Sequence, residues 1–302
     1  VTAIMAILSS GATGGYLFSL KSILPKFSKL SLFSGFKRMF GARAAIELLK
    51  SILKFTLVAT VLWALVSRQM DQMMQLVPIR KKYVYPKLVR IDSEQGRTYT
   101  LEGQPAVPSV TTILSGTKDK AHLDAWAARV GQDEAEKIRN DAANVGTHMH
   151  SVVERLLLNR PLETPRTWLA VKGYWMGYKL IETFMPHVNE VWGTEIPLYY
   201  PEKYAGTSDC IGVYKDHSAI IDFKQTNKMK QRKWIEDYFV QLAAYALAHD
   251  VSHGTKIEQG VIMMVAQNGE TQEFVTCGRE FDNYKDMWMR RVESFIKNSP
   301  EA

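Results

Sequence analysis

The sequence predicts an α/β fold from about Tyr83 to the C-terminus, one mixed sheet flanked by helices, behind an N-terminal segment of different texture. Three observations predict it. Helical runs precede three consecutive strand-like runs, a long helix separates these from two more strands, and turn signals join strands in pairs. Taken in order, residues 83–100 read as β-rich and lead into Pro108-Ser109-Val110-Thr111-Thr112-Ile113-Leu114. Helical patterns follow over Leu123–Val130, Asp133–Leu158 and Trp168–Phe184. The strand-like runs are Val188–Tyr199, Ser208–Tyr214 and Ser218–Lys224, the last two joined by the turn Lys215-Asp216-His217. A helix over Lys233–His249 precedes strands Gln259–Ala266 and Gln272–Thr276, and Asn268-Gly269 between them is a strong hairpin signal. A last helix is read over Asp282–Lys297.

Residues 1–76 form a mostly helical segment with no such alternation. The chain opens on Val1, as a processed or truncated product would, and its first charge is Lys21. That opening run is long enough for a membrane helix but only weakly hydrophobic, whereas Phe55–Ser67 is strongly apolar but shorter than the roughly 20 residues a span needs. Two readings stay open for it, a core or surface helix and a membrane-associated one. Pro78 and Pro86 flank the basic run Arg80-Lys81-Lys82, which reads as a junction over 77–85 and leaves 86–302 as the second domain.

Apolar residues make up 46% of the 302, enough for a sizeable core. The two cysteines, Cys210 and Cys277, exclude a disulfide framework, a four-cysteine zinc site and an iron–sulfur cluster, and make a reducing, intracellular setting the default. The net charge of +7 invites a nucleic-acid reading, but its distribution does not support it. Residues 1–82 hold twelve lysines and arginines against two acids, a balance of +10, so the rest of the chain is −3. Only local patches can argue for DNA binding in the second part.

The chemistry gathers near the middle strands. Asp222-Phe223-Lys224 ends an apolar strand, and residues two apart share a face, so the carboxylate and the ammonium project together. Asp209, on the preceding strand of the hairpin, can place a second carboxylate beside the first, and a few carboxylate and carbonyl oxygens completed by water are how proteins hold Mg²⁺. An isolated acid-x-lysine is more often a surface ion pair. His150 and Glu154 share one helical face, as do Gln241 and Tyr245, although each has a bland alternative as packing, a cap or an ion pair. Lys228, Lys230, Arg232 and Lys233 follow the site closely and are placed for phosphate contact. Trp126, Trp168, Tyr174, Trp175, Tyr178 and Trp234 could stack on unpaired bases, with at least half of them expected in the core.

These residues, in this order, resemble the RecB-like branch of PD-(D/E)XK nucleases, among phage exonucleases and the mitochondrial genome-maintenance exonuclease group, over roughly Tyr83 to Lys297. The resemblance implies a restriction-endonuclease-like core and a DNA exonuclease using Mg²⁺, with Mn²⁺ able to substitute, in a cytoplasm (that of a host, for a phage protein). It implies that His150, Asp209, Asp222 and the Phe223 carbonyl bind metal, that Lys224 is the catalytic amine, and that Glu154, Gln241 and Tyr245 complete the site or contact DNA. Glu195 sits where the family often carries a strand glutamate. Ser208 stands where the branch often has proline. Separately, Leu30-Ser31-Leu32-Phe33-Ser34-Gly35-Phe36-Lys37-Arg38-Met39-Phe40-Gly41, followed by Ala45-Ile46-Glu47-Leu48-Leu49-Lys50, resembles the FlhB/YscU family of flagellar and type III export membrane proteins. That resemblance implies membrane contact through residues 1–76 and a rival function in protein export. The export family's self-cleaving Asn-Pro-Thr-His element is not in the sequence.

Overall fold

A computed structural model describes residues 42–74, 79–119 and 121–298, so the export-like stretch Leu30–Gly41 and Pro78 of the junction lie outside the described residues. The chain divides into two compact units, residues 1–66 and 67–302. In the first, helix α1 begins; it spans Ala42–Met74 and continues past the division. Its side chains from Ile46 to Ala64 are all exposed, among them Leu53, Phe55, Leu57 and Trp63. No helix among the described residues is long and apolar enough to cross a membrane.

The second unit carries two sheets. The smaller is antiparallel, with β1 (Leu88–Ser93), β2 (Gly96–Leu101) and β3 (Val107–Pro108) in that order. Four helices follow: α2 (Val110–Thr117), α3 (Ala121–Val130), α4 (Gln132–Leu157) and α5 (Trp168–Phe184). Ser109 caps α2 by accepting from the Thr112 N–H, and Thr167 caps α5 by accepting from the Ala170 N–H. The larger sheet is mixed, in the order β4 (Val188–Tyr200), β5 (Tyr204–Tyr214), β6 (His217–Thr226), β7 (Gln259–Ala266) and β8 (Thr271–Cys277). Its one parallel pair, β6–β7, is joined through α6 (Glu236–His253), the crossover that parallel neighbours need. The chain ends its described part in α7 (Gly278–Asn298).

Alternation along the strands sends side chains to two cores. Ile211, Ile220, Ile262 and Met264 face α2, α6 and α7, while Ala219, Ile221, Phe223, Val261, Met263 and Val265 face α4 and α5. All eight residues of β7 are buried, as expected of a strand covered by helices on both faces. On α5 the small residues Gly173 and Gly177 let α4 approach closely: a Cβ at Gly173 would fall 2.7 Å from the Val145 carbonyl oxygen, and one at Gly177 would fall 2.8 Å from the Val152 side chain.

One irregularity of the larger sheet positions its polar residues. The β5–β6 ladder runs only from Tyr214↔His217 to Cys210↔Ile221. Beyond it, β5 stays paired to β4 and β6 stays paired to β7, so the sheet forks at Asp209 and Asp222.

The elements differ from expectation mainly at their ends. β5 begins at Tyr204, four residues before the expected Ser208. Residues Arg232–Trp234 form a 3₁₀ turn, and α6 starts only at Glu236. The expected junction over 77–85 is in part structured. Ile79 bridges Val191, the Arg80 N–H donates to the Val191 carbonyl at 2.9 Å, and Tyr83 and Tyr85 pack on the larger core, because their rings meet Trp192, His249 and His253.

Candidate active site

The fork in the sheet gathers the predicted residues. Where the β5–β6 ladder stops, the Asp209 carboxylate takes over as acceptor for the Phe223 N–H at 2.9 Å. Its Oδ2 also lies 3.5 Å from Nδ1 of His150, carried on α4. The Phe223 ring is buried and meets the His150 ring edge-to-face at 6.3 Å. On β6 the Lys224 ammonium donates to Asp222 Oδ1 at 2.7 Å and lies 2.6 Å from Oδ2. Asp222 is 3% exposed, whereas the Lys224 side chain keeps 21% of its surface open.

From the other side α6 presents Tyr238, Gln241 and Tyr245. Gln241 donates its amide N–H to the Tyr245 hydroxyl at 3.2 Å, and Lys224 lies 5.2 Å from the centre of the Tyr238 ring, a cation–π distance. Gly206 makes room for Tyr245, since a Cβ there would fall 2.8 Å from its ring. Gln225 ties β6 to the histidine-bearing helix by donating to the Ala142 carbonyl at 3.0 Å.

Among the described residues, His150, Glu195 and Asp209 form the set that could hold a metal, their ligand atoms lying within 4.8 Å of one another. Glu195 falls opposite Asp209, between the pairs Thr194↔Cys210 and Ile196↔Ser208. Like charges facing each other across two strands destabilise a sheet, and Glu195 is held there with a left-handed φ of 50°. Glu195 is exposed at its outer surface, but partial desolvation and then the negative charge of Asp209, Glu154 and Asp222 raise its carboxyl to about 7. Crowded acid that resists ionising is what a divalent cation relieves, so the donor set fits a hard cation. Asp222, expected as a ligand, is not one of this trio; its Oδ1 accepts from Lys224, while its buried Oδ2 has no hydrogen-bond partner among the described residues.

Burial pushes the Asp222 carboxyl above the usual range, with Lys224 opposing and Asp209 adding to the shift. Burial alone would depress Lys224, but Asp222 and Asp209 outweigh it and raise its pKa. With no cation in the fork, the arrangement therefore favours an ammonium at Lys224.

The remaining expectations divide. Glu154 pairs with Arg160 at 3.7 Å. Arg232 forms an exposed ion pair with Glu280 through two hydrogen bonds, of 3.2 and 2.6 Å, whereas Lys228, Lys230 and Lys233 have no ion pair among the described residues. None of the six candidate stacking aromatics is buried, against the expectation that half would be core. On α5 the buried face is made by Ala170, Gly173, Met176, Gly177, Leu180, Ile181 and Phe184, which leaves Trp168 and Trp175 outside. Tyr238 was not anticipated, although its spacing of three and seven from Gln241 and Tyr245 marks the same helical face.

Two kinds of relative match this chain. The family model described as the FlhB HrpN YscU SpaS family matches residues 1–91. The flagellar biosynthetic protein FlhB of Salmonella typhimurium is 46% identical over 74 residues, 24% of this chain and 19% of that protein. Yop proteins translocation protein U of Yersinia pestis is 33% identical over 91 residues, 30% of this chain and 26% of that protein. Human mitochondrial genome maintenance exonuclease 1 is 25% identical over 208 residues, 63% of this chain and 58% of that protein. Both resemblances read from the sequence are thus found, and the chain spans less than two thirds of each of these curated relatives.

Proposed function

We propose that the second unit is a metal-dependent DNA exonuclease, hydrolysing phosphodiester bonds of single-stranded or end-processed DNA with Mg²⁺, or Mn²⁺ in its place. The observation that carries this reading is the juxtaposition of Glu195 and Asp209, with His150 beside them, in the same fork as the Asp222–Lys224 pair. The distant similarity to genome-maintenance exonucleases supports the same chemistry.

His150, Asp209 and Glu195 would hold the cation, with Asp222 next to them. When bound, such an ion supplies Lewis acidity, acidifying water and neutralising charge on phosphate. The chain's own groups do the rest. Lys224, kept protonated by Asp222, can hydrogen-bond a phosphate oxygen and stabilise the charge that builds there. Asp222 fixes where that ammonium points. Tyr245, oriented by Gln241, offers a hydroxyl from the opposite wall, and its burial keeps the phenol neutral and able to donate. Lys228, Lys230 and Lys233 are placed to take phosphates of the incoming strand.

The test is degradation of linear single- and double-stranded DNA by the intact chain with Mg²⁺ or Mn²⁺. Cleavage should vanish in EDTA, return with metal, and be lost in Asp222→Asn. Cleavage that persists in EDTA, or that Asp222→Asn leaves intact, would count against the proposal.

The match over residues 1–91 favours a second reading, a membrane component of an export apparatus. It predicts a chain that fractionates with membranes and ignores DNA.

A further inference from the structure

We infer that a cleft at the start of α6 grips one unpaired DNA strand, with Trp234 as its stacking platform and Lys230 and Lys233 as its phosphate contacts. The inference deepens the nuclease reading and rests on it for the identity of the polymer. The cleft has a volume of about 570 Å³ and is lined by Lys118, Lys230, Lys233, Trp234, Glu236 and Asp237.

Trp234 leaves 60% of its surface open, on a turn fixed by the Trp234 N–H donating to the Gln231 carbonyl at 2.9 Å. A large flat apolar face held in water beside cations complements a polymer that alternates flat bases with anions. In a duplex each base already has both faces covered by its neighbours, so a protein platform of this kind favours an unpaired strand.

Not every cation at the cleft is available. Lys118 is spent on Asp237 at 2.7 Å, and Asp237 also holds Arg291 at 2.8 Å. Lys230 and Lys233 have no such partner among the described residues, and the backbone of Lys230 is clamped. Its N–H donates to Gln272 Oε1 at 2.7 Å, and its carbonyl accepts from Gln272 Nε2 at 3.1 Å. The lysine is therefore presented from a fixed loop. That loop leaves β6 at Thr226, and the six residue steps from Lys224 to Lys230 span at most about 20 Å. A separation of that size is within the length of a strand of a few nucleotides. Glu236 is the opposing wall, a carboxylate with no ion pair among the described residues, and it should weaken binding of a polyanion.

The experiment measures anisotropy of a fluorescein-labelled oligo-dT of about 20 nucleotides, and of a blunt duplex of equal length, with the intact chain in EDTA, where no cleavage interferes. Trp234→Ala should weaken oligo-dT binding about tenfold, Trp234→Phe should retain most of it, and duplex binding should not respond to either. The double variant Lys230→Ala/Lys233→Ala should weaken oligo-dT binding and reduce its log–log salt slope by about 1.4. Glu236→Gln should tighten it, a change that damage to folding cannot mimic. The inference is overturned if the chain does not bind oligo-dT, or if the tryptophan and lysine variants bind it as the parent does with an unchanged salt slope. If binding follows the expected pattern but no cleavage appears on adding Mg²⁺ or Mn²⁺, the nuclease reading fails and the cleft stands. If cleavage proceeds with the same KM in parent and cleft variants, the cleft fails and the nuclease reading stands.

Discussion

The carboxylates of the fork set up a conflict between stability and chemistry that single substitutions can expose. Glu195 lies across the strands from Asp209, so Glu195→Gln removes a like-charge repulsion. In EDTA that change should raise the melting temperature by about 1–3 °C, because such cross-strand pairs are worth up to about 1 kcal/mol and the unit is large. In Mg²⁺ the same variant should cut DNA at least tenfold more slowly. Calorimetry beside a nuclease assay checks both signs, and a variant that is no more stable in EDTA and fully active with metal would remove Glu195 from the site. Lys224→Ala should move in the other direction on stability. It leaves Asp222, 3% exposed, without its ammonium, and an orphaned buried charge costs roughly 2–3 kcal/mol here, below the range for fully sealed pairs because the Lys224 side chain retains 21% exposure. Activity should fall at least about a hundredfold, the scale of a lost proton-donating or charge-stabilising group.

At the level of elements, the site depends on how closely α4 and α5 pack, because α4 carries His150. A Cβ at Gly173 would sit 2.6 Å from the His148 Cβ and 2.7 Å from the Val145 carbonyl oxygen, so Gly173→Ala must push the helices apart. His150 follows two residues after His148, and displacing it by an ångström can cost about a hundredfold in rate. The expected result is a chain that still melts cooperatively, several degrees lower, with activity down at least tenfold where it remains folded. Unaltered activity would show that α4 does not set the geometry. The helices and strands themselves were legible from periodicity: α5 falls on Trp168–Phe184 as expected, and the hairpin at Asn268-Gly269 closes β7 onto β8. The fork was not legible, since alternation says which face a side chain takes and nothing about where two strands part. Glu195 was weakly legible for the same reason, its role arising from a register across β4 and β5. Arg232 looked like its lysine neighbours in sequence and was separated from them by Glu280, 48 positions away.

At the level of the whole second unit, residues 79–85 work as a structural strap, and a titratable group lies beneath it. His249 is buried with Tyr83, Tyr85, Trp192 and His253 around its ring. The Thr255 hydroxyl donates to Asp250 at 2.8 Å, so at 2.7 Å it must accept from His249 Nδ1, which leaves Nε2 to accept from the Tyr85 hydroxyl at 3.2 Å. With the imidazole neutral, as its burial favours, the relay runs in one direction. Burial lowers the His249 pKa to about 4, with His253 and Lys82 adding to the shift. The unfolded chain binds this proton near pH 6.5 and the native one does not, so native stability is complete above that pH and is lost as pH falls toward 4. The loss should approach roughly 3 kcal/mol across that window, the equivalent of the shift, and the same group should contribute no slope between pH 7 and 8. His249→Gln can keep an N–H and an acceptor without titrating, so it should flatten the acid limb while lowering stability at neutral pH only modestly. Denaturant unfolding in EDTA at a series of pH values reads this directly. A variant whose stability falls with pH as steeply as the parent's would show that acid acts elsewhere, and that the strap is not held by a neutral histidine.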